Sequence, residues 1–227
     1  MKHEATQANL TSCGLPGIGP IPYGIHMCHF YRERQDLVEA LVPFFLAGLH
    51  NNERCIWITA GPLDVAEARL ELQKAGFDVD AAIRSGALTI QDYSEFFLKA
   101  PGLKSRQVAE LWLAQEAHAL EQGYSGIRIT GNASFLAPET WPDFMDYEEV
   151  VHQAFQGRRI VSLCSYDARR VAAAEVADVV RRHSCALDRP DQGWQIVNDY
   201  RLQQDPTSAY VLRAGDAGLP ARGAAGG

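Results

Sequence analysis

Short apolar runs that alternate with stretches of helical periodicity decide which folds are open to this chain. Ile25–Tyr31 (IHMCHFY), Arg54–Thr59 (RCIWIT), Leu88–Gln91, Ile127–Thr130 (IRIT) and Ile160–Ser165 (IVSLCS) read as strands. After the first, Leu37, Ala40, Leu41, Phe44, Phe45 and Gly48 recur at helical spacing, with Val38, Val42 and Leu49 on a second side. That helix is expected to be buried widely, with Pro43 kinking it or opening its second half. Further helices are expected over Val65–Ala75, Asp80–Ser85, Ser105–Gln122, about 141–155 and Arg170–His183. In the third of these, Val108, Leu111, Trp112 and Ala119 share a face. A sixth strand is expected near Trp194–Val197. Strands alternating with helices in this way predict an α/β fold, a three-layer sandwich with a mostly parallel central sheet.

Composition narrows the classes of function. Of 227 residues, 47% are hydrophobic and 22% charged, which suits a folded body. Residues 1–22, rich in Gly and Pro, read as an extended N-terminal lead-in, 23–200 as the folded domain, and 201–227 as a disordered Gly/Ala-rich tail. A net charge of -7 argues against direct nucleic-acid binding. No apolar run approaches the roughly 18 residues of a membrane span, and the first residues have no signal-peptide core. The five cysteines (Cys13, Cys28, Cys55, Cys164 and Cys185) form no CxxC pair, so reduced thiols and a cytoplasmic location are expected.

Ligands of parallel sheets bind at the carboxyl ends of the strands. Tyr31 ends the first strand and Arg34 follows it, Thr59 ends the second, Tyr93 follows the third, Thr130 ends the fourth and Tyr166 follows the fifth. Strand alternation puts His26 and Cys28 on one face and His29 on the other, which makes His26 and Cys28 candidate ligands for a metal ion. Cys55, Cys164 and His152 are further donors in principle, and Cys55 and Cys164 also read as small core residues. Arg128, on a central strand, needs a buried partner, and Glu148 or Glu149 in DYEEV is the expected one.

Several blocks resemble known proteins in order. LVEALVPFFLAGLHNNERCIWITAGPL, LQKAGFDVDAAIRSGALTIQDY and the helix leading to GIRIT resemble the KaiC/RecA-like ATPase core. GIHMCHFYRERQDLVEALVPFFLAGLHNNERCIWIT, RITGNASFL, FMDYEEVV and VSLCSYD are similar to the MEDS domain, the sensory domain named for methanogens, methylotrophs and a dichloromethane regulator. The phosphate-gripping parts of an ATPase are missing from the sequence. The loop Arg32-Glu33-Arg34-Gln35-Asp36 has no glycine and no Lys-Ser/Thr pair, and Thr130-Gly131-Asn132 has no acidic residue for magnesium.

The resemblance therefore implies a RecA/KaiC-like fold without a P-loop and a non-catalytic sensory role. A small-molecule ligand, such as a small organic compound, or a protein partner would occupy the former nucleotide cleft. Its candidate lining is His26, Cys28, Tyr31, Arg34, Thr59, Tyr93, Arg128, Thr130, Glu148 and Tyr166. Output would pass to a signalling partner, a kinase or transcription regulator, and self-assembly into a homo-oligomer is compatible with the scaffold. The alternatives are a metal or redox sensor built on His26 and Cys28, and a nucleotide-binding protein with an atypical site.

Overall fold

In the computed structural model, which describes residues 9–98, 105–135, 138–190 and 193–197, the chain begins with an antiparallel ribbon. Its strands are β1 (Leu10–Ser12) and β2 (Pro20–Pro22). The lead-in is thus a packed element over this stretch: Cys13, Leu15 and Ile21 are core residues. The tail expected from residue 201 lies outside the described residues.

The alternation then follows. β3 (His26–Tyr31) leads into α1 (Arg34–His50), and β4 (Arg54–Thr59) into α2 (Val65–Lys74) and α3 (Val79–Arg84). β5 (Leu88–Asp92) is followed by α4 (Tyr93–Leu98) and α5 (Ser105–Glu121). β6 (Ile127–Asn132) precedes α6 (Trp141–Phe155), and β7 (Ile160–Asp167) precedes α7 (Ala173–Arg181). β8 (Cys185–Asp188) and β9 (Gln195–Val197) complete the sheet. The strand order is β5-β4-β6-β7-β3-β8-β9, parallel except for β9 against β8. This is the expected three-layer α/β sandwich.

Each face of the sheet has its own core. Met27, Tyr31, Cys55, Trp57, Val161 and Leu163 point toward α1, whose Leu37, Leu41, Phe44 and Phe45 are buried against them. Ile56, Ile58, Ile127, Ile129 and Ile160 point toward α5 and α6, and Cys28 and Tyr166 toward α6 and α7. At roughly 1.5–3 kcal/mol per large apolar side chain, these two layers supply the main drive for folding.

Some local expectations are corrected. Pro43 does not divide α1, which runs unbroken from Arg34 to His50. Leu111 is 41% exposed, so the buried face of α5 is Val108, Ala109, Trp112 and Ala119. The helix expected over Arg170–His183 starts at Ala173 and stops at Arg181, leaving His183 in the connection to β8. β8 itself, only CALD, has too little periodicity to be read as a strand from sequence.

Candidate functional site

Strand pleat and helix packing bring four buried donors together on the α6 side of the sheet. His26 opens β3, Cys164 lies on the neighbouring β7, Glu148 comes down from α6, and His183 arrives from the turn after α7. His26 Nε2 lies 3.2 Å from Cys164 Sγ and 3.2 Å from Glu148 Oε2. His183 Nε2 lies 3.6 Å from the same Glu148 oxygen. The two imidazoles sit with centroids 4.0 Å apart. His183 Nδ1 is 2.7 Å from the Val179 carbonyl, which can only accept. His183 therefore carries its proton on Nδ1 and presents the Nε2 lone pair to the cluster. Tyr166 donates to Glu148 Oε1 at 3.1 Å, but Glu148 Oε2 and His183 Nε2 find no hydrogen-bond partner of good geometry.

Burial sets the protonation of this centre. It pushes the Glu148 carboxyl up, against the opposing pull of His183 and the Tyr166 hydroxyl. It pushes His183 down, with His26 acting the same way, and it raises the thiols of Cys28 and Cys164 well above the ordinary range. Each group is thereby driven toward its neutral form, the usual outcome for charges withdrawn from water. Burial that favours the protonated Cys28 thiol makes it a poor nucleophile.

A cavity of about 50 Å³ adjoins this centre, lined by Ile129, Thr130, Gly131, Tyr147, Glu148, Val151 and Cys164 among others. An ordered water needs roughly 10–15 Å³ by the same kind of measure, and an apolar cavity of about 150 Å³ holds benzene. The space therefore suits a molecule of a few heavy atoms, far below the roughly 300 Å³ where pockets for drug-sized ligands begin. Its walls are mostly apolar, with Glu148, Cys164, Asn132, Ser162 and Ser165 among the polar groups.

The expected site residues divide between this centre and other places. His26, Cys28, Thr130, Glu148 and Tyr166 gather at or beside the cavity. Cys28 shares the face with His26, but its thiol points at the Cys185 carbonyl, 3.7 Å away. Thr130 donates to the Leu163 carbonyl at 2.6 Å. Tyr31 faces α1 and donates to Asn132 Oδ1 at 3.2 Å. Thr59 donates to the Gln91 carbonyl at 3.3 Å, and Tyr93 packs against the Ile56–Ile58 core. Arg34 lies at the surface, paired with Glu67 at 2.8 Å and Glu71 at 2.9 Å.

The expected Arg128–Glu148 pair does not form. On β6 the side chains of Ile127 and Ile129 face α6, so the pleat turns Arg128 to the opposite side, where Glu148 cannot reach. Its partner is Glu53, at 2.6 Å from Nε, with Phe44, Cys13 and Ser12 carbonyls taking the other donors at 2.8, 3.2 and 2.7 Å. Glu53 also accepts from Tyr23 at 2.9 Å. Gly48 makes the room: a Cβ there would lie 2.7 Å from the Arg128 side chain. Cys55, counted among the further metal donors, lies on this α1 side with its thiol on the Phe45 carbonyl.

At the end of β3, where a nucleotide phosphate would sit in an ATPase, the backbone amides of Arg32 and Glu33 both donate to Asp36 Oδ2, at 2.8 and 3.0 Å. The chain's own carboxylate takes the place an anion would need. A polar depression lined by Arg32, Asp36, Arg189 and Trp194 lies beside it.

Comparison with protein families places these features. A family model described as MEDS, the MEthanogen/methylotroph, DcmR Sensory domain, matches residues 25–184. The chain belongs to the MEDS family. The matched span of this MEDS chain takes in all four donors, from His26 to His183. Membership carries a sensory, regulatory role. No curated protein matches in sequence. Among solved structures, the flagellar accessory protein FlaH from Methanocaldococcus jannaschii is similar, with a TM-score of 0.50 and 14% identity over 74% of this chain and 71% of that one. The KaiC-like protein PH0186 from Pyrococcus horikoshii is similar with a TM-score of 0.51 and 13% identity, covering 82% of this chain and 85% of that one. At such identities the likeness shows the KaiC-like fold alone. Among the described residues, no helix is long and apolar enough to cross a membrane.

His183 and Glu53 escaped the sequence reading. His183 hides at the end of a helical pattern, and Glu53 sits in the polar turn NNER, where an exposed residue is the default expectation.

Proposed function

We propose that this MEDS chain is a non-catalytic sensor that takes a small organic molecule in the cavity under α6 and signals its occupancy to a separate protein partner. The observation that supports this best is the cavity itself, small and mostly apolar, with Glu148 and Cys164 in its lining. A ligand there contacts α6 directly. Occupancy that favours one placement of α6 over another shifts the population of surfaces offered to a partner. A molecule with equal affinity for both placements would not signal. The non-catalytic reading is supported by Asp36, whose carboxylate already holds the amides that would grip a phosphate.

The test is a set of thermal melts with one- to three-carbon halides, thiols and alcohols, with Mg-ATP in parallel. A ligand at about 100 times its Kd stabilises by about 2.7 kcal/mol, a rise of several degrees for a chain of this size. Gly131→Val should remove that rise. A Cβ at Gly131 lies in ordinary contact, 3.9 Å from Cys164 Sγ, so the larger side chain grows into the cavity. Stabilisation by Mg-ATP with phosphate release, and none by the small organics, would overturn the reading.

A further inference from the structure

The four donors carry a second consequence, independent of what fills the cavity. We propose that His26 Nε2, Glu148 Oε2, Cys164 Sγ and His183 Nε2 bind one divalent transition-metal ion, with zinc the best match.

The geometry is that of a tetrahedral site lacking only small adjustments. Zinc lies about 2.0–2.1 Å from nitrogen and oxygen ligands and about 2.3 Å from sulfur, which makes the edges of its tetrahedron roughly 3.3–3.6 Å. The separations here are 3.2 Å, 3.2 Å and 3.6 Å, and all four donor atoms lie within 4.8 Å of one another. The residues come from four separate elements, so their convergence is not a by-product of one helix or strand. Two donors, Glu148 Oε2 and His183 Nε2, are buried and aimed inward with no hydrogen-bond partner of good geometry. An ion would satisfy both at once.

The supporting contacts fit as well. The Val179 carbonyl fixes the His183 ring with Nε2 as the free donor, and the Tyr166 hydroxyl holds Glu148 by its other oxygen. Such outer contacts orient ligands in metal sites. Two imidazoles, a carboxylate and a thiolate offer two negative charges to a divalent ion, which leaves the buried assembly neutral. A thiolate with two imidazoles suits zinc or its neighbours and disfavours magnesium or calcium, which take oxygen ligands. Cys28, on the same face, is excluded from the set by its contact with the Cys185 carbonyl.

The test uses Co2+ as a coloured stand-in for zinc. The reduced full-length chain, stripped with a chelator, is titrated with Co2+ and then with Zn2+. One equivalent of Co2+ should bind, giving a thiolate-to-cobalt band in the near ultraviolet and the strong visible absorption of a tetrahedral site, and Zn2+ should bleach both. Cys164→Ser should remove the near-ultraviolet band, and Cys28→Ser should leave it. If Cys164→Ser does not fold, His183→Gln should weaken Co2+ binding by more than about tenfold, since even outer-shell losses cost that much. No uptake by the folded chain, or uptake without a thiolate band, would overturn the proposal. So would a band that survives Cys164→Ser, a band lost in Cys28→Ser, or unchanged affinity in His183→Gln.

Discussion

Two buried polar clusters sit back to back on the central sheet, and they are built on opposite terms. On the α1 side, Arg128 spends every donor on Glu53 and on carbonyls from the N-terminal ribbon and α1. On the α6 side, His26, Glu148, Cys164 and His183 crowd together with Glu148 Oε2 and His183 Nε2 unsatisfied and a cavity alongside. A completed network locks the ribbon, α1 and β6 into one arrangement. An incomplete one is costly to keep, and a fold that keeps it retains capacity to bind something. The contrast gives the first cluster a stabilising role and makes the second the place where the proposed sensing is to be tested.

The largest expected effect comes from breaking the completed cluster. Arg128→Met leaves Glu53 buried without its counter-charge and should cost about 3–5 kcal/mol in chemical denaturation. A loss under about 1 kcal/mol would remove the distinction between the two sides. Acid should also attack the α1 face. Burial pushes His29 down to about 4, against the opposing influence of Asp36, so the folded chain keeps the ring neutral. The unfolded chain takes up its proton near pH 6.5, so stability from this group is intact above that pH and is lost as pH falls toward 4. The full loss is about 3 kcal/mol, and His29→Gln should flatten that part of the pH profile. An unchanged slope in the variant would place the acid sensitivity elsewhere.

The α1 side and the α6 side were not equally legible in the sequence. The pleat of IHMCHFY placed His26 and Cys28 on one face, and the structure agrees because a two-residue period needs no knowledge of the rest of the chain. Glu148 and Tyr166 also stand out in the sequence, and they do meet, through a bond between β7 and α6. The partner of Arg128 was not legible. Glu53 is 75 residues away, and no local spacing encodes a contact between the turn before one strand and the start of another. Gly48 is a usable signal, because a glycine within an otherwise apolar helical face marks the space taken by a large neighbour. Strand ends are where phosphate-binding sheets hold their ligands, yet the smaller cavity lies against the sheet face under α6, where only the packing of a helix decides its shape.

Smaller effects sharpen the α6 side. Gly131→Ala should raise stability by about 0.5–1 kcal/mol, since its Cβ meets nothing closer than Cys164 Sγ at 3.9 Å and the unfolded chain loses freedom. Destabilisation instead would mean the cavity wall is already closed. Glu148→Gln should change stability in metal-free protein by less than about 1 kcal/mol or raise it slightly, because burial already favours the neutral carboxyl and the amide has nearly the same shape. Equilibrium denaturation at neutral pH checks both.

The division of labour between the two clusters is tested most directly by melting Arg128→Met and Glu148→Gln side by side, with and without a small organic that stabilises the unmodified chain. The account predicts that, in metal-free protein, Arg128→Met melts about 10 °C lower yet keeps its response to the compound, while Glu148→Gln melts close to the unmodified chain and loses the response. A Glu148→Gln chain that melts early and still responds, beside an Arg128→Met chain that melts normally and does not, would contradict it.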